Sequence, residues 1–474
     1  MIRLFQQFIP KRKLLLIASE GFLLMTAVFF GTSLPFFATQ PLGDADLTAI
    51  LEGLLSAFTV AALCQVALSY NDLYDWRVSQ NRSDLPTRLL HASGFSFIAL
   101  AVLVFFFPAL FRFPGLPDLS GQTWKLVVIL MAAFVGLYYW RLGFHWFFFK
   151  WGAGEPIVIL GSGRHARGLI KEIQDHPETG FEVAGYFGPR SDDPDLHVPW
   201  LGPAGELRQK AIDLRASRVI VALEDRRGAI PVDGLLSCRL AGMRVEEHTA
   251  LLEKLHGKLD LDSIRPSYLI FSEGFRKSRL VLTAKRTADV LMSLTGLVVG
   301  APVMVLVALA IRLESRGPIL FRQRRVGLDG REFTCLKFRS MRHDAEDSSG
   351  PVWAGKTDDR VTRVGRVLRA TRLDEWPQFW NILIGEMSFV GPRPERPFFV
   401  ERLRSEIPYY AERLSVRPGL TGWAQINFPY GASIEDQREK LAYDLYYIKN
   451  ISLLFDLTIM FKTVRVILFQ EGAR

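Results

Sequence analysis

Cysteine is scarce in this chain of 474 residues, and the three that occur, Cys64, Cys238 and Cys335, lie far apart. No metal-ligand spacing joins them, so the sequence indicates neither a disulfide framework nor a zinc site, and a reducing compartment suits it. Internal repeats, low-complexity tracts and heptad patterns are also missing from the sequence. The domains must therefore be found from changes in composition along the chain.

Apolar residues make up 49% of the chain, and the mean hydropathy of +0.15 is high for a soluble protein. They are concentrated in runs, of which four near the N-terminus are each long enough to cross a bilayer. These runs occupy residues 14–37, 50–68, 89–110 and 126–149. The sequence therefore predicts a bundle of four transmembrane helices within residues 1–149. Because no small-residue cleavage site follows the first run, we expect that run to be retained.

The distribution of charge predicts which side of the membrane each segment faces. Lys11, Arg12 and Lys13 precede the first run, whereas the loop 33–47 carries acidic residues and no Lys or Arg. By the positive-inside tendency, the N-terminus lies in the cytoplasm and four crossings return the chain there at about residue 150. The formal net charge of +9, together with the membrane runs, favours anionic lipid or phosphate-bearing partners over nucleic acid.

Residues 150–265 have the pattern of a small parallel α/β domain of the Rossmann type. A continuous apolar strand at 157–160 is followed by Gly161-Ser162-Gly163 and then by a helical pattern. Such a turn lets an anion approach the N–H groups at a helix start, which makes Gly161 and Gly163 candidate nucleotide-binding residues. Two further strands are predicted at 182–187 and 218–223, with a helix around 206–214.

The same domain lacks two features of an enzyme that uses NAD. The second strand ends in Tyr186-Phe187-Gly188, with no carboxylate to hold a ribose hydroxyl. A Tyr four residues before a Lys, as in short-chain dehydrogenases and epimerases, is also absent from this region. We therefore expect a degenerate scaffold or a regulatory nucleotide site at Gly161 and Gly163, with NAD binding as the alternative.

A fifth apolar run, at 288–311, is interrupted by Ala301-Pro302 and flanked by basic residues on both sides. Proline disfavours a straight helix at this point, and basic flanks pull both ends toward the cytoplasm. Each arm of about 10 residues spans roughly 15 Å, about half of a hydrocarbon core. The run therefore predicts a re-entrant helix that dips into one leaflet, with a kinked transmembrane helix as the alternative.

After a linker at 266–283, residues 284–474 are predicted to form a mostly helical (α+β) catalytic domain. Its most informative feature is Asp374-Glu375, two adjacent carboxylates embedded among cations and apolar residues. This pair suits phosphoryl chemistry if one carboxylate attacks phosphorus and the other holds a hard cation that neutralises phosphate oxygens. Arginine supplies planar donors to the same oxygens. The predicted phosphate-binding residues are Lys337, Arg339, Arg369, Arg372, Arg393 and Arg417.

Taken singly, an Asp-Glu pair is usually a solvated surface feature, and Gly-Pro or Pro-Gly pairs usually form turns. The informative property is the order in which these motifs follow the apolar run at 288–311. The motifs are Lys-Phe-Arg-Ser-Met at 337–341, Leu-Asp-Glu at 373–375, Gly-Pro-Arg-Pro at 391–394 and Arg-Pro-Gly-Leu-Thr-Gly-Trp at 417–423. This order resembles the bacterial sugar transferase family, the polyprenyl-phosphate hexose-1-phosphate transferases. The N-terminal runs and the α/β domain resemble the long members of that family.

The resemblance implies transfer of a hexose 1-phosphate from a UDP-sugar to undecaprenyl phosphate, with release of UMP, at the cytoplasmic face of the bacterial inner membrane. It implies that Asp374 is the nucleophile, that Glu375 engages Mg²⁺, and that Asp444, in Asp-Leu-Tyr-Tyr, is a further active-site acid. The family commonly breaks its membrane helix at Ser-Pro, where this chain has Ala301-Pro302.

Other interpretations stay open at the level of sequence. A membrane-anchored nucleotide-sugar epimerase or dehydratase would place its chemistry at 161–166, and a non-catalytic scaffold for polysaccharide assembly would need no chemistry. The apolar positions of 450–469 recur at helical spacing, which suits a helix in the lipid interface or one packed on the catalytic core. The N-terminal membrane region is a candidate surface for a homodimer.

Overall fold

The computed structural model describes residues 2–4, 7–39, 47–75, 84–116, 119–151, 154–191, 197–224, 230–262, 264, 266–272, 274–275, 278–342, 360–428, 431 and 433–468. The chain divides into two compact units. One unit comprises Met1–Ile2 and Ile9–Glu246, and the other comprises Arg3–Phe8 and Glu247–Arg474. The four apolar runs predicted near the N-terminus lie in the first unit, as does the predicted α/β domain as far as Glu246. The remainder of that predicted domain, 247–265, and all of the predicted catalytic domain, 284–474, lie in the second unit.

The first unit begins with long apolar helices. After the short strands β1 (Ile2–Leu4) and β2 (Gln7–Ile9), the helices are α1 (Lys11–Thr39), α2 (Leu47–Tyr70), α3 (Leu85–Phe106) and α4 (Leu119–Trp151). All four contain segments that are long and apolar enough to cross a membrane. Their shared core is aliphatic and aromatic, with Leu24, Val60 and Leu130 fully buried. The predicted helical, apolar N-terminal region is confirmed.

One buried ion pair ties the first of these helices to the last. Arg141 Nε lies 2.7 Å from Glu20 Oε1, and both side chains are fully buried. The Arg141 guanidinium also donates to the carbonyl of Leu73, at 2.6 Å. Because a buried charge without its partner is costly, this pair fixes the register of α4 against α1.

A five-stranded sheet forms the α/β domain of the first unit. Its strands are β3 (Glu155–Leu160), β4 (Phe181–Phe187), β5 (Trp200–Gly202), β6 (Arg218–Val221) and β7 (Arg244–Glu247). The order is β5-β4-β3-β6-β7, and β3 pairs in parallel with both β4 and β6. The helices of this domain are α5 (Arg164–Asp175), α6 (Leu207–Asp213) and α7 (Val232–Leu240). This is the Rossmann-type order, so the predicted parallel α/β domain is confirmed.

The second unit contains the fifth apolar helix. After α8 (His248–His256) and α9 (Pro266–Phe271) comes α10 (Arg279–Glu314), a helix of 36 residues and roughly 54 Å. Pro302 lies inside α10, and the helix continues through Ala301 and Pro302 without interruption. A single proline removes one backbone hydrogen bond, which a long apolar helix tolerates. The predicted break is therefore absent from the secondary structure, and a re-entrant path through the membrane stays a prediction.

The remainder of the second unit is small strands framed by helices. An antiparallel hairpin, β8 (Leu320–Val326) and β9 (Glu332–Phe338), and a parallel pair, β10 (Ser388–Val390) and β11 (Gly419–Thr421), form its sheets. The helices are α11 (Arg363–Ala370), α12 (Gln378–Ile384), α13 (Pro397–Glu406), α14 (Trp423–Asn427), α15 (Ile434–Asn450) and α16 (Leu453–Leu468). The predicted mostly helical character is confirmed.

The helix α16 packs on the core of the second unit through one face and leaves another face exposed. Phe455 and Ile459 are fully buried in the core of the second unit. Leu454 and Leu457 are exposed, as expected of a face left for lipid. Packing on the core is therefore observed, while contact with lipid stays a prediction.

Candidate active site

Asp374 and Glu375 lie in a single 3₁₀ turn, Leu373–Glu375, between α11 and α12. The turn follows Arg372, whose φ of +57° is in the left-handed region that non-glycine residues rarely adopt. Such strain costs roughly 1–3 kcal/mol and persists only where the surroundings enforce it. Both carboxylates are buried, with 7% and 8% exposure. The turn thus keeps two carboxylic acids away from bulk water. Electrostatic interactions are stronger in such a buried place than in water.

Glu375 is held by two cations. Lys337 Nζ lies 2.8 Å and Arg393 Nη2 lies 3.2 Å from the same oxygen, Oε1. Burial acts to raise the pKa of Glu375, but Lys337, Arg393 and Arg372 outweigh it and hold that pKa well below its ordinary value. These two cations therefore favour the ionised form of Glu375.

Asp374 has a different environment. Among the residues that the structure describes, none forms a hydrogen bond with its buried Oδ1. Burial and then the charge of Glu375 raise the pKa of Asp374, while Lys337, Arg372 and Arg369 partly oppose this rise. A buried carboxylate oxygen without a partner is costly, so this atom is suited to meet a cation or a reacting group.

The position of Lys337 depends on a residue that the sequence analysis missed. Asn381, on α12, accepts a hydrogen bond from the backbone of Leu336 at 3.1 Å and donates to the carbonyl of Thr334 at 2.8 Å. It thereby fixes the edge of β9, which carries Lys337, against the helix that follows Glu375. Asn381 is 1% exposed, but a single buried Asn inside a helical pattern carries no recognisable signal in the sequence.

The two predicted turns at 391–394 and 417–423 form one structure that positions Arg393. The N–H of Gly391 donates to Thr421 O and the N–H of Gly419 donates to Pro392 O, each at 2.9 Å. A Cβ added to Gly391 would lie 2.4 Å from Arg417 O, so only glycine permits this approach. Arg393 follows directly and reaches Glu375.

Asp444 supports Arg393 instead of contacting the carboxylate pair. Its Oδ2 accepts a hydrogen bond from Arg413 Nε at 3.1 Å and lies 2.8 Å from Nη2, and both side chains are buried. The same Arg413 donates to the carbonyl of Arg393 at 3.0 Å and to the hydroxyl of Tyr410 at 2.7 Å. Burial raises the pKa of Asp444, against the opposing effect of Arg413. Neither Arg413 nor Tyr410 was singled out from the sequence.

The six predicted phosphate-binding cations divide into two groups. Lys337 and Arg393 contact Glu375, and Arg369 and Arg372 are close enough to affect the pKa of Asp374. The other two contact helix ends. Arg339 donates to the carbonyls of Ser315 and Arg316, and Arg417 donates to that of Gly385. In this structure, Arg339 and Arg417 cap the C-terminal ends of α10 and α12.

The apolar helix α10 packs directly on the residues that follow the carboxylate pair. A Cβ added to Gly300 or to Gly296 would lie 2.5 Å from the ring of Trp376 or Phe379, respectively. These two glycines are one turn apart, and their missing side chains let the aromatic rings approach the helix axis. The site is therefore built against the middle of the helix, next to the predicted break at Ala301-Pro302.

At the glycine turn of the α/β domain, the protein provides its own anion. Gly161 has a φ of +130°, and a Cβ there would lie 2.5 Å from Ala222 O. The backbone N–H of Arg164, at the start of α5, donates to Glu224 Oε1 at 2.6 Å. A carboxylate thus occupies the place where a phosphate would meet the helix N-terminus, which favours the degenerate interpretation of Gly161 and Gly163.

The described part of the chain contains no cluster of three or more His, Cys, Asp and Glu side chains that could hold a metal ion. Magnesium usually takes only one or two carboxylates, together with waters and substrate phosphates. Glu375, a carboxylate whose pKa is held low by its neighbours, fits that requirement, and the unpartnered oxygen of Asp374 stays available for a reacting group.

Comparison with known proteins finds two family matches. A model described as "Bacterial sugar transferase" matches residues 280–470, and one described as "CoA-binding domain" matches residues 69–230. The family match at 280–470 contains every residue of the site described above.

Three relatives illustrate the similarity. An N-acetylgalactosaminephosphotransferase acting on UDP-N-acetylgalactosamine and undecaprenyl phosphate, from Aeromonas hydrophila, is 43% identical over 51% of this chain and 56% of its own length. UDP-glucose:undecaprenyl-phosphate glucose-1-phosphate transferases from Klebsiella pneumoniae and Xanthomonas campestris pv. campestris are 44% and 39% identical. The matches cover 65% and 67% of this chain, and 66% and 68% of those relatives. The chain spans less than two thirds of the length of the first of these relatives.

Proposed function

Since this chain belongs to the bacterial sugar transferase family, we propose that it transfers a hexose 1-phosphate from a UDP-sugar to undecaprenyl phosphate, giving undecaprenyl-diphosphate-sugar and UMP. The observation that carries the proposal is the contrast within the carboxylate pair. Glu375 is held as an anion by Lys337 and Arg393, whereas Asp374 keeps a buried oxygen with no partner among the described residues.

The first displacement uses that oxygen of Asp374. It attacks the phosphorus that bears the sugar, a new O–P bond forms, and the bond from that phosphorus to the bridging oxygen breaks. UMP leaves with the electron pair, and the sugar phosphate remains on Asp374 as an acyl phosphate. Asp374 attacks in its ionised form, which the nearby Lys337, Arg372 and Arg369 favour, so no base takes part in the displacement.

The second displacement returns the enzyme to its starting state. A phosphate oxygen of undecaprenyl phosphate attacks the same phosphorus, and the bond to Asp374 breaks. The carboxylate is regenerated and the lipid diphosphate leaves. Both steps bring anions together, so the main barrier is repulsion, which Lys337, Arg393 and Arg372 reduce.

Magnesium is the proposed cofactor. Glu375 would hold the ion together with substrate phosphate oxygens. An ion held by Glu375 would supply charge neutralisation for the transferred phosphate and the departing nucleotide. The contacts of Lys337 and Arg393 orient Glu375 for this role.

The apolar helices make this a membrane protein. We propose that it lies in the bacterial inner membrane, with the catalytic unit on the cytoplasmic face, where a water-soluble UDP-sugar and a lipid phosphate can meet. The packing of Gly296 and Gly300 against Trp376 and Phe379 supports this, since it places the carboxylate pair beside the predicted membrane helix. The product would start an exopolysaccharide or O-antigen repeat unit. A homodimer through the N-terminal helices is also proposed.

The test is a panel of UDP-hexoses offered to the full chain in lipid nanodiscs, with UMP release as the readout. We expect sustained UMP release with one donor, dependent on undecaprenyl phosphate and Mg²⁺, and a lipid-linked sugar phosphate as product. Release of no UMP with any donor would contradict the proposal. Reduction or trapping of bound nicotinamide would instead support an epimerase or dehydratase.

A further inference from the structure

Between the two family matches lies a segment that neither covers. We call residues 248–275, which contain α8 and α9, the strap. The strap follows β7 of the α/β domain along the chain, yet it belongs to the second unit. Its Leu259 is 2% exposed and lies in the core of that unit.

The strap contacts Trp423 in the motif at 417–423. Helix α8 ends at Gly257, whose φ of +64° turns its carbonyl out of the helix. That carbonyl accepts the indole N–H of Trp423 at 2.7 Å, and a Cβ on Gly257 would lie 3.2 Å from the Trp423 ring. Lys462 lies over the same ring, 4.7 Å from its centre. Trp423 is therefore fixed from the strap and from α16.

Trp423 is coupled to Arg393 through glycines. The residue before it, Gly422, would place a Cβ 2.2 Å from Gly391 O, so the two segments are in close contact, and the N–H of Gly391 holds them together by donating to Thr421 O at 2.9 Å. Arg393 lies two residues after Gly391 and contacts Glu375 at 3.2 Å. A displacement of Trp423 would therefore move the cation that holds Glu375.

A second set of contacts connects the strap to α15, the helix that carries Asp444. Lys449 Nζ lies 2.8 Å from Glu253 Oε2 and donates to the hydroxyl of Tyr268 at 2.6 Å. The N–H of Leu259 donates to the carbonyl of Ala442 at 3.1 Å. Asp444 holds Arg413, and Arg413 donates to the carbonyl of Arg393. The contacts through α15 therefore also connect the strap to Arg393.

We propose that the strap is a positioning element of the transferase site, which holds Arg393 beside Glu375 through Trp423 and through α15. The inference rests on the proposed function and deepens it. The strap residues that carry this argument act on the carboxylate pair through Trp423, α15 and Arg393. The strap ends before residue 280, where the match to the sugar transferase family begins. The part of the chain that positions the transferase site therefore extends beyond the residues that match the family.

The experiment compares full-length variants in the donor assay and in a covalent-adduct assay. Glu253→Gln removes the charge that faces Lys449, and Trp423→Phe removes the donor to Gly257 while keeping a ring. We expect each to lower kcat about fivefold, the effect of one lost hydrogen bond on the transition state. The double variant Glu253→Lys with Lys449→Glu re-forms the pair in reverse and should recover roughly half of the activity.

A matched control is Glu246→Gln in the α/β domain, which removes a carboxylate that accepts from Arg218 at 3.0 Å. It should leave kcat within about twofold of the unmodified protein. The stoichiometry of the adduct on Asp374 separates positioning from unfolding. A misplaced Arg393 slows adduct formation in nearly every molecule, whereas unfolding removes a fraction of the molecules.

Two results would overturn the inference while leaving the transferase proposal intact. One is a kcat within about twofold of the unmodified protein in both Glu253→Gln and Trp423→Phe. The other is a loss of adduct stoichiometry in proportion to the loss of rate, without recovery in the reversed pair. If the unmodified chain itself releases no UMP, the proposed function fails, and this inference fails with it.

Discussion

At the glycine turn of the α/β domain, the N–H of Arg164 donates to Glu224, whereas in the second unit Oδ1 of Asp374 has no partner among the described residues. Both places have a sequence pattern that indicates phosphate. In the first, the protein places its own carboxylate at a helix start. In the second, cations surround two carboxylates and one oxygen remains available. The comparison shows that a sequence pattern suited to phosphate forms a binding site only where the surrounding side chains leave room for a ligand.

The largest effect is expected when the carboxylate of Asp374 is replaced. Asp374→Asn keeps the size of the side chain but replaces an anionic nucleophile with an amide. We expect loss of the covalent adduct and a fall in turnover of roughly a thousandfold or more. Mass spectrometry of protein incubated with a UDP-sugar and no acceptor measures the adduct directly. An adduct that persists in this variant would remove Asp374 from its role.

A smaller effect is expected from the partner carboxylate. Glu375→Gln removes the charge that Lys337 and Arg393 hold in place. If Glu375 engages Mg²⁺, the half-saturating concentration of Mg²⁺ should rise about tenfold or more, because a metal site loses a charged contact. Titration of UMP release with Mg²⁺ measures this. A titration identical to that of the unmodified protein would show that the metal is held elsewhere.

The close packing of α10 offers a third test, away from the chemistry. Gly300→Ala adds a methyl group 2.5 Å from the Trp376 ring, which must move and displace the turn that carries Asp374. We expect kcat to fall about tenfold, since small misplacements of reacting groups are costly. Gly94→Ala in α3 is the control, because a Cβ there meets no atom within 4 Å. Equal activity in both variants would show that the packing of α10 against Trp376 does not determine the position of Asp374.

The sequence predicted much of the local structure. The lengths of the apolar runs predicted the long helices, and the buried strand at 157–160 predicted the α/β domain, because both signals are contained in a few consecutive residues. Asp374 and Glu375 were identified from their chemistry and context. The pairing of the turn at 391–394 with that at 417–423 was not predicted, since it joins segments that are distant along the chain through backbone hydrogen bonds.

Side chains that act through other residues were hardest to identify. Asn381 fixes Lys337 by two hydrogen bonds to β9, yet it has the appearance of any polar residue inside a helix. Arg339 and Asp444 are in motifs of the expected kind, but one caps α10 and the other holds Arg413. Residue type and spacing indicate which groups can bind phosphate, whereas the three-dimensional fold determines which of them are already engaged.

The smallest effect is expected from a change at the glycine turn of the α/β domain. Glu224→Gln removes the negative charge at the start of α5 but keeps a side-chain oxygen that can accept from Arg164. Because this place is far from the carboxylate pair along the chain and is already filled, kcat for transfer should stay within about twofold. Equilibrium dialysis with NAD should detect no binding to the unmodified protein, whose own carboxylate would repel the pyrophosphate. Stoichiometric NAD binding to the unmodified protein would show that Glu224 yields to a ligand, and the glycine turn would then be a working nucleotide site.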